Sequence, residues 1–306
     1  MKGWRVAAAT ALVAAACGAS GTDREITFVD GRIFPESMTS TASGDLYFSS
    51  LGQNAVYRAA ANTTQAVQWI PPKANGLNFV LGVLADEPDG VLWVCSSANG
   101  GRNGAPYVGE TALKAFNLKD ASFKASYPFP GNGLCNDIAV AADGTVYATD
   151  TNEARVLRLK KGAEALDVWA ADSMLLRSAD GIALKDGAVY VNTYSQGTLV
   201  RIPVNADSSA GTITKLDTSR GLVHPDGMRT IDKETMLLVE GEGRLDEVTI
   251  AGNTANIKVL RSRLKDPTAV ALAGGTAWVT EARIGLLDSS KDPGPFRAVG
   301  VVYPEH

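Results

Sequence analysis

Six stretches of the chain repeat one arrangement of polar and apolar positions. A short run leads to a turn with Gly or Asp, then to a strand rich in aromatic and β-branched residues, and ends on a small polar residue. The six read PESMTSTASGDLYFSS, LGVLADEPDGVLWVCSS, NDIAVAADGTVYATD, DGIALKDGAVYVNT, DGMRTIDKETMLLVE and TAVALAGGTAWVTE. Corresponding positions are Glu36, Gly82, Asn136, Asp180, Asp226 and Thr268, separated by 46, 54, 44, 46 and 42 residues. The long interval carries the Gly- and Asn-rich loop SANGGRNGAPYVGE, which reads as an insertion. A strand-only repeat of this length predicts the blades of a β-propeller, and six copies predict six blades. Helical spacing of apolar residues is not sustained past the N-terminal stretch.

The same pattern predicts how the ring closes. The last repeat runs through WVTEARIGLL and ends in AVGVVY, which supplies three strands. The segment EITFVD, residues 25 to 30, has strand character and is expected to complete the last blade. Joining the chain ends in this way leaves no raw sheet edge. The expectation is an all-β fold: a single six-bladed β-propeller domain over residues 25–306, the last blade closed by the N-terminal strand.

Residues 1–22 read as an export signal. Lys2 and Arg5 precede an apolar run from Val6 to Ala16 that is too short to span a bilayer. Ala14-Ala15-Ala16 stands before Cys17, which resembles a bacterial lipoprotein signal, although Ala14 occupies a place where such signals usually carry a branched apolar residue. Lipidation at Cys17 and ordinary cleavage nearby both remain open, so the protein is expected to be periplasmic or secreted, or lipid-anchored. No other segment is apolar enough to span a membrane. Loss of Lys2 and Arg5 takes the net charge from −4 to −6. There is no basic stripe to suit nucleic acid. Cys95 and Cys135 could pair in an oxidising compartment, but the expectation is two buried free thiols. Without a CxxC or a Cys/His cluster, no zinc or redox site is expected.

Within each repeat the innermost strand carries the chain from one channel mouth to the other. Asp89-Gly90, Asp143-Gly144 and Asp186-Gly187 then fall at the far mouth as hairpin corners. Glu36, Asn136, Asp180 and Asp226 precede inner strands and should converge on the opposite mouth. Three carboxylates and an amide in one narrow space repel one another unless a cation or protons intervene. Oxygen ligands of this mixed type suit calcium first, with magnesium, manganese or zinc as other divalent choices. Taken one at a time, each side chain could equally cap a strand in water.

PES in blade 1, ND in blade 3, DG in blade 4 and PDGM in blade 5, with the closing WVTEAR, resemble the gluconolactonase and senescence-marker-protein (regucalcin) family. The resemblance runs over essentially the whole mature chain. It implies a six-bladed propeller with a divalent cation at the channel mouth, and often hydrolysis of a lactone. It implies Glu36, Asp180 and Asp226 as metal ligands, with Asn136 contacting substrate or a metal water. Asp180 stands where asparagine is usual, Leu134 where sugar-acid lactonases often place arginine, and Lys233-Glu234 where glycine is common. These departures point to a changed substrate.

The expected chemistry is hydrolysis of a lactone or ester carbonyl polarised by the cation, with Asp226 as general base. No GxSxG is present and His224 is the sole histidine besides the C-terminal residue, so a Ser-His-Asp triad is excluded. His224 is an alternative base or proton shuttle, or else a loop-packing residue. Ser49, Ser96, Asp150, Asn192, Glu240 and Glu281 end the second strands and return to the same mouth, as candidates to face substrate or support the ligands. Among them Asp150 and Glu240, together with Tyr194 and Asn136, are the substrate-binding candidates, and the loop around Arg102 and Tyr107 could cover the pocket. Two other readings stay open: a propeller that binds a partner without catalysis, and a non-hydrolytic relative of the strictosidine-synthase type. Oligomeric state is not legible.

Overall fold

The computed structural model describes residues 24–99, 108–131 and 133–303. Cys17, the rest of the leader, Arg102 and Tyr107 lie outside the described residues. No helix among the described residues is long and apolar enough to cross a membrane.

The repeats fold as read. Strands group into six antiparallel blades, whose inner strands are Met38–Ser40, Val80–Asp86, Cys135–Val140, Ala179–Lys185, Pro225–Thr230 and Pro267–Ala273. Each inner strand touches that of the next blade, and the sixth touches the first, so the ring closes around a channel. Second strands such as Leu46–Ser50, Val146–Asp150 and Thr276–Glu281 are buried along their whole length. That burial explains why they read as apolar runs rather than as strict alternation. The apolar core lies mainly in layers between adjacent blades: Val56, Val83 and Phe116 pack between blades 1 and 2, and Val191, Ile182 and Val156 between blades 3 and 4.

The strand that closes the ring is Arg24–Phe28, close to the expected 25–30. It pairs antiparallel with Arg297–Val302 of blade 6, placing Ile26 opposite Ala298. It also pairs parallel with the outer strand of blade 1, Thr27 opposite Gln65, so blades 6 and 1 become one continuous sheet.

The thiol expectation is corrected: Cys95 and Cys135 form a disulfide between blades 2 and 3, with Cα atoms 5.1 Å apart. Both cysteines are fully buried. The spacing of 40 residues hid the contact, because only the stacking of adjacent blades brings the two strands together.

Five of the six inner strands begin with a register shift against their partners. It falls between Val80 and Val83, Cys135 and Ile138, Ala179 and Ile182, Pro225 and Met228, and Pro267 and Val270. A bulge re-aims side chains that a regular strand would send to alternate faces. The bulged pairs include Asn136-Asp137, Asp180-Gly181 and Asp226-Gly227, so these three candidates lie inside the strands, at their bulges, rather than before them, whereas Glu36 does precede its strand, which has no such shift.

The two kinds of Asp-Gly are physically distinct. Gly90, Gly144 and Gly187 sit at hairpin corners with positive φ of 62°, 82° and 71°. Gly181 and Gly227 are needed for space instead. A Cβ on Gly181 would run into the Asp226 carbonyl oxygen, and one on Gly227 would lie 2.7 Å from the Thr268 carbonyl oxygen.

Candidate functional site

The bulges of blades 3, 4 and 5 bring Asn136, Asp180 and Asp226 to one channel mouth, where Glu36 joins them from just before the blade 1 inner strand, each no more than 9% exposed. Asn136 donates its side-chain amide to Asp180 Oδ2 at 3.2 Å and to Thr151 Oγ1 at 3.0 Å. Asp226 is within side-chain hydrogen-bonding reach of Asp180. Two oxygens remain buried and unpaired, Glu36 Oε2 and Asn136 Oδ1. Burial, followed by the charges of Asp180 and Asp137, pushes Glu36 well above the usual carboxylate range. Asp226 is pushed well up by burial, then by Asp180, Glu36 and Asp137. Asp180 is raised to about 7 by burial and by Asp137, against hydrogen bonds that favour its anion. The mouth is therefore an acid cluster short of positive charge.

Two residues of this centre escaped the sequence reading. Asp137, neighbour of Asn136 on the same bulge, is 4% exposed. Arg229, three residues past Asp226, grips it with Nη1 on Oδ2 at 2.6 Å and Nη2 on Oδ1 at 2.9 Å. A regular strand would have turned Asp137 away from the face of Asn136, and only the ND dipeptide hinted at a second acid. The ring also depends on backbone stitching at the bulges. Ser49 Oγ accepts from the Ser37 amide at 2.7 Å, and Thr149 Oγ1 from the Asp137 amide at 3.0 Å. Asn192 Oδ1 accepts from the Gly181 amide at 3.2 Å while Asn192 Nδ2 donates to the Asp226 carbonyl at 2.5 Å.

Asp150 and Glu240, expected to face substrate, are completely buried and act as clamps instead. Asp150 accepts from the Leu134 amide at 2.8 Å and pairs with Arg155 at 2.9 Å. Glu240 accepts from the Val223 amide and pairs with Arg220 at 2.6 Å. Glu281 repeats the device with the Lys265 amide and Arg297. An acid ending the second strand thus holds the loop that leads into its own inner strand. Ser96 does a neutral version, accepting from the Asn78 amide at 3.0 Å.

Tyr194 does stand at the mouth. Its ring stacks on His224 at 4.8 Å between centroids, and burial with the nearby Asp226, Asp266 and Asp180 charges pushes its phenol up to about 12. His224 has a left-handed φ of 50° and its Nδ1 lies 3.4 Å from Glu242 Oε1. Together the two rings wall the acid cluster on the blade 4 and blade 5 side.

A cavity of about 450 Å³ lies elsewhere, at the opposite mouth, lined by Leu84, Ile138, Ile182, Leu184, Lys161 and Arg229. That cavity also includes Asp86 and Asp89 in its lining, but none of Glu36, Asn136, Asp180 and Asp226. As they stand, no three His, Cys, Asp or Glu side chains among the described residues are grouped to cage an ion. The donors present are the two unpaired oxygens of Glu36 and Asn136 and the Asp180–Asp226 pair. This all-oxygen, acid-and-amide set fits a hard cation, which would displace the hydrogen bond between the two aspartates.

No protein-family profile matches the chain, and no curated protein matches it. Solved structures do. An X-ray structure of a protein assigned to the gluconolactonases superposes with a TM-score of 0.66 at 16% identity, over 93% of this chain and 95% of its own. A gluconolactonase from Xanthomonas campestris gives 0.64 at 15% identity, over 92% and 90%. Virginiamycin B lyase from Staphylococcus aureus gives 0.59 at 12% identity, over 92% and 99%. The fold is that of a gluconolactonase-like propeller, and the same fold carries other chemistry.

Proposed function

We propose that the protein hydrolyses lactones or related esters at the acid-lined mouth, using a divalent cation of the calcium type held by Glu36, Asn136, Asp180 and Asp226. The observation that carries this reading is the pair of buried, unpaired oxygens on Glu36 and Asn136 beside two carboxyls that lack a positive partner. Burying polar oxygens without partners costs free energy that a bound cation would return. The gluconolactonase-like fold supports the substrate class.

When bound, the cation supplies Lewis-acid polarisation of the carbonyl. Asp226, buried at the mouth beside Asp180, takes the proton from the attacking water. Asn136 orients the oxygen set through its bond to Asp180. The stacked rings of Tyr194 and His224 form the wall against which the body of the substrate rests. The Cys95–Cys135 disulfide supports export to an oxidising compartment, in keeping with the leader.

A panel of lactones and aryl esters, tested after chelation with and without calcium, decides the matter. Turnover that returns only with added cation supports the reading. Cation binding without turnover on any substrate leaves a binding propeller in its place.

A further inference from the structure

The second strands carry an aromatic ring at one repeating position: Tyr47, Trp93, Tyr147, Tyr190 and Trp278, with Leu237 the exception in blade 5. In blades 1, 3 and 4 an arginine stands directly across on the third strand. Arg58 faces Tyr47, Arg158 faces Tyr147 and Arg201 faces Tyr190. Arg58 shows what the pairing does. Its guanidinium carbon lies 4.7 Å from the centre of the Trp69 ring and 5.9 Å from that of Tyr47, while Nη2 meets Asp45 at 2.6 Å. A guanidinium can cover a ring and keep its hydrogen bonds at its edge. Blade 6 has Gly300 across from Trp278, and Arg24 of the closing strand supplies the guanidinium instead, 5.4 Å from the ring.

Blade 2 breaks this rule. Ala115 lies across from Trp93, and a cavity of about 300 Å³ opens beside the pair. Trp93, Ala115 and Tyr127 of blade 2 line it on one side and Leu159 of blade 3 on the other. The Trp93 and Tyr127 rings are 6.1 Å apart and tilted by 44°. Trp93 Nε1 already donates to Asp86 Oδ2 at 3.2 Å, so the indole offers a ligand only its ring. The corresponding cavity between blades 6 and 1 is smaller, about 200 Å³, with Arg24 in its lining and the turn Ala60-Ala61-Asn62 beside it. In the blade 2 cavity that turn is Lys160-Lys161-Gly162, and Lys124 joins it from the outer strand of blade 2. Lys161 pairs with Asp89 at 2.6 Å, which neutralises the acid in the lining, whereas Lys124 and Lys160 are exposed at the rim. Positive charge has thus moved from the face of the ring to the rim, above a wall of rings and apolar side chains.

We propose that this cleft between blades 2 and 3 is a ligand site for a small aromatic carboxylate. The ring lies against Trp93 and Tyr127, in the place that an arginine holds in other blades, and the acid group meets Lys124 and Lys160. The volume is at the low end of the roughly 300 to 1,000 Å³ usual for small-molecule sites, which suits one or two rings. The lysine rim selects an anion on a chain whose net charge is −4. The site shares no residue with the acid cluster, and the inference stands apart from the function proposed above.

The test titrates 1-naphthoate and its uncharged amide into the protein by calorimetry, in excess chelator so that no cation at the acid cluster can hold the anion. Naphthoate should bind with a dissociation constant below about 1 mM. The amide should bind at least about tenfold more weakly, since it lacks the charge-assisted contact. Ala115→Arg restores the arginine of the other blades, fills the cleft and should abolish binding. The double variant Lys124→Gln/Lys160→Gln, altered only on exposed side chains, should weaken binding about fivefold. Absence of naphthoate binding in the wild type overturns the proposal, as does equal affinity for the amide. Full affinity in a folded Ala115→Arg places the binding elsewhere and overturns it too. If Ala115→Arg does not fold, the lysine variant decides, and unchanged affinity there overturns the site.

Discussion

Asp180 of blade 4 and Asp226 of blade 5 stand within hydrogen-bonding reach of each other in a buried setting that raises the proton affinity of both. Asp180 moves from an ordinary 3.8 to about 7, so between these values the folded protein holds more protons than the unfolded chain. Stability must then fall as pH rises across that window, with the full penalty present above about 7. Without cation, the melting temperature should drop steadily from pH 5 to pH 8, and calcium should flatten the slope by favouring the anions. Asp246, also raised to about 7 by burial and by its bond to Glu240, adds a share that calcium will not remove. Asp246→Asn is therefore the background in which to measure the site. A melting curve that ignores both pH and chelator there would remove the acid cluster from the account.

The disulfide gives a second expectation. Cys95 and Cys135 close a loop of 40 residues, and the chain-entropy relation assigns such a loop about 4 kcal/mol. Cys135 also adjoins Asn136, so the bond pins the blade 3 bulge that presents the amide. The double Cys→Ser variant should lose stability in urea by roughly that amount. It should bind calcium more weakly as well; equal affinity would show that the bulge holds its shape unaided.

Ring closure is tested by deletion. Removing residues 1–22 should leave stability unchanged, whereas removing 1–28 strips the strand from Arg297–Val302 and from the outer edge of blade 1. It also removes Ile26 from the core and the Glu25–Arg297 pair. The shorter protein should aggregate or melt well below the other, as judged by calorimetry and light scattering. Equal stability would mean that the blades close without this strand.

The repeat was legible because each blade must bury a strand pair of the same length, and that need writes the same polar and apolar order six times. Asp226 and Asp180 were legible for the same reason. Asp137 and Arg229 were not: a bulge breaks the two-residue period on which facing is read, and the Arg229 contact spans 92 residues that only the closed ring brings together. Asp150 and Glu240 misled because they do return to the correct mouth, but a buried acid there finds an arginine and a loop amide before it meets solvent. The Cys95–Cys135 bond was hidden likewise, since pairing depends on which blades are neighbours and at what height.

Asp226 decides between ligand and base. Asp226→Asn keeps the shape and one oxygen for the cation but cannot accept a proton. Its backbone carbonyl would still receive the Asn192 amide, so the bulge should survive. Cation affinity should fall moderately, while turnover should fall by the general-base share, on the order of 10² to 10⁴. Asp180→Asn supplies the residue usual in the resembling family, and it should loosen the cation while keeping turnover at saturating calcium. Asp143→Asn alters a far-mouth hairpin where the carboxylate accepts the Thr145 amide, and it should change neither quantity. Near-normal turnover in Asp226→Asn, on a substrate the wild type cleaves, would reduce Asp226 to a ligand. The base would then have to be sought at His224, two residues upstream and stacked on Tyr194.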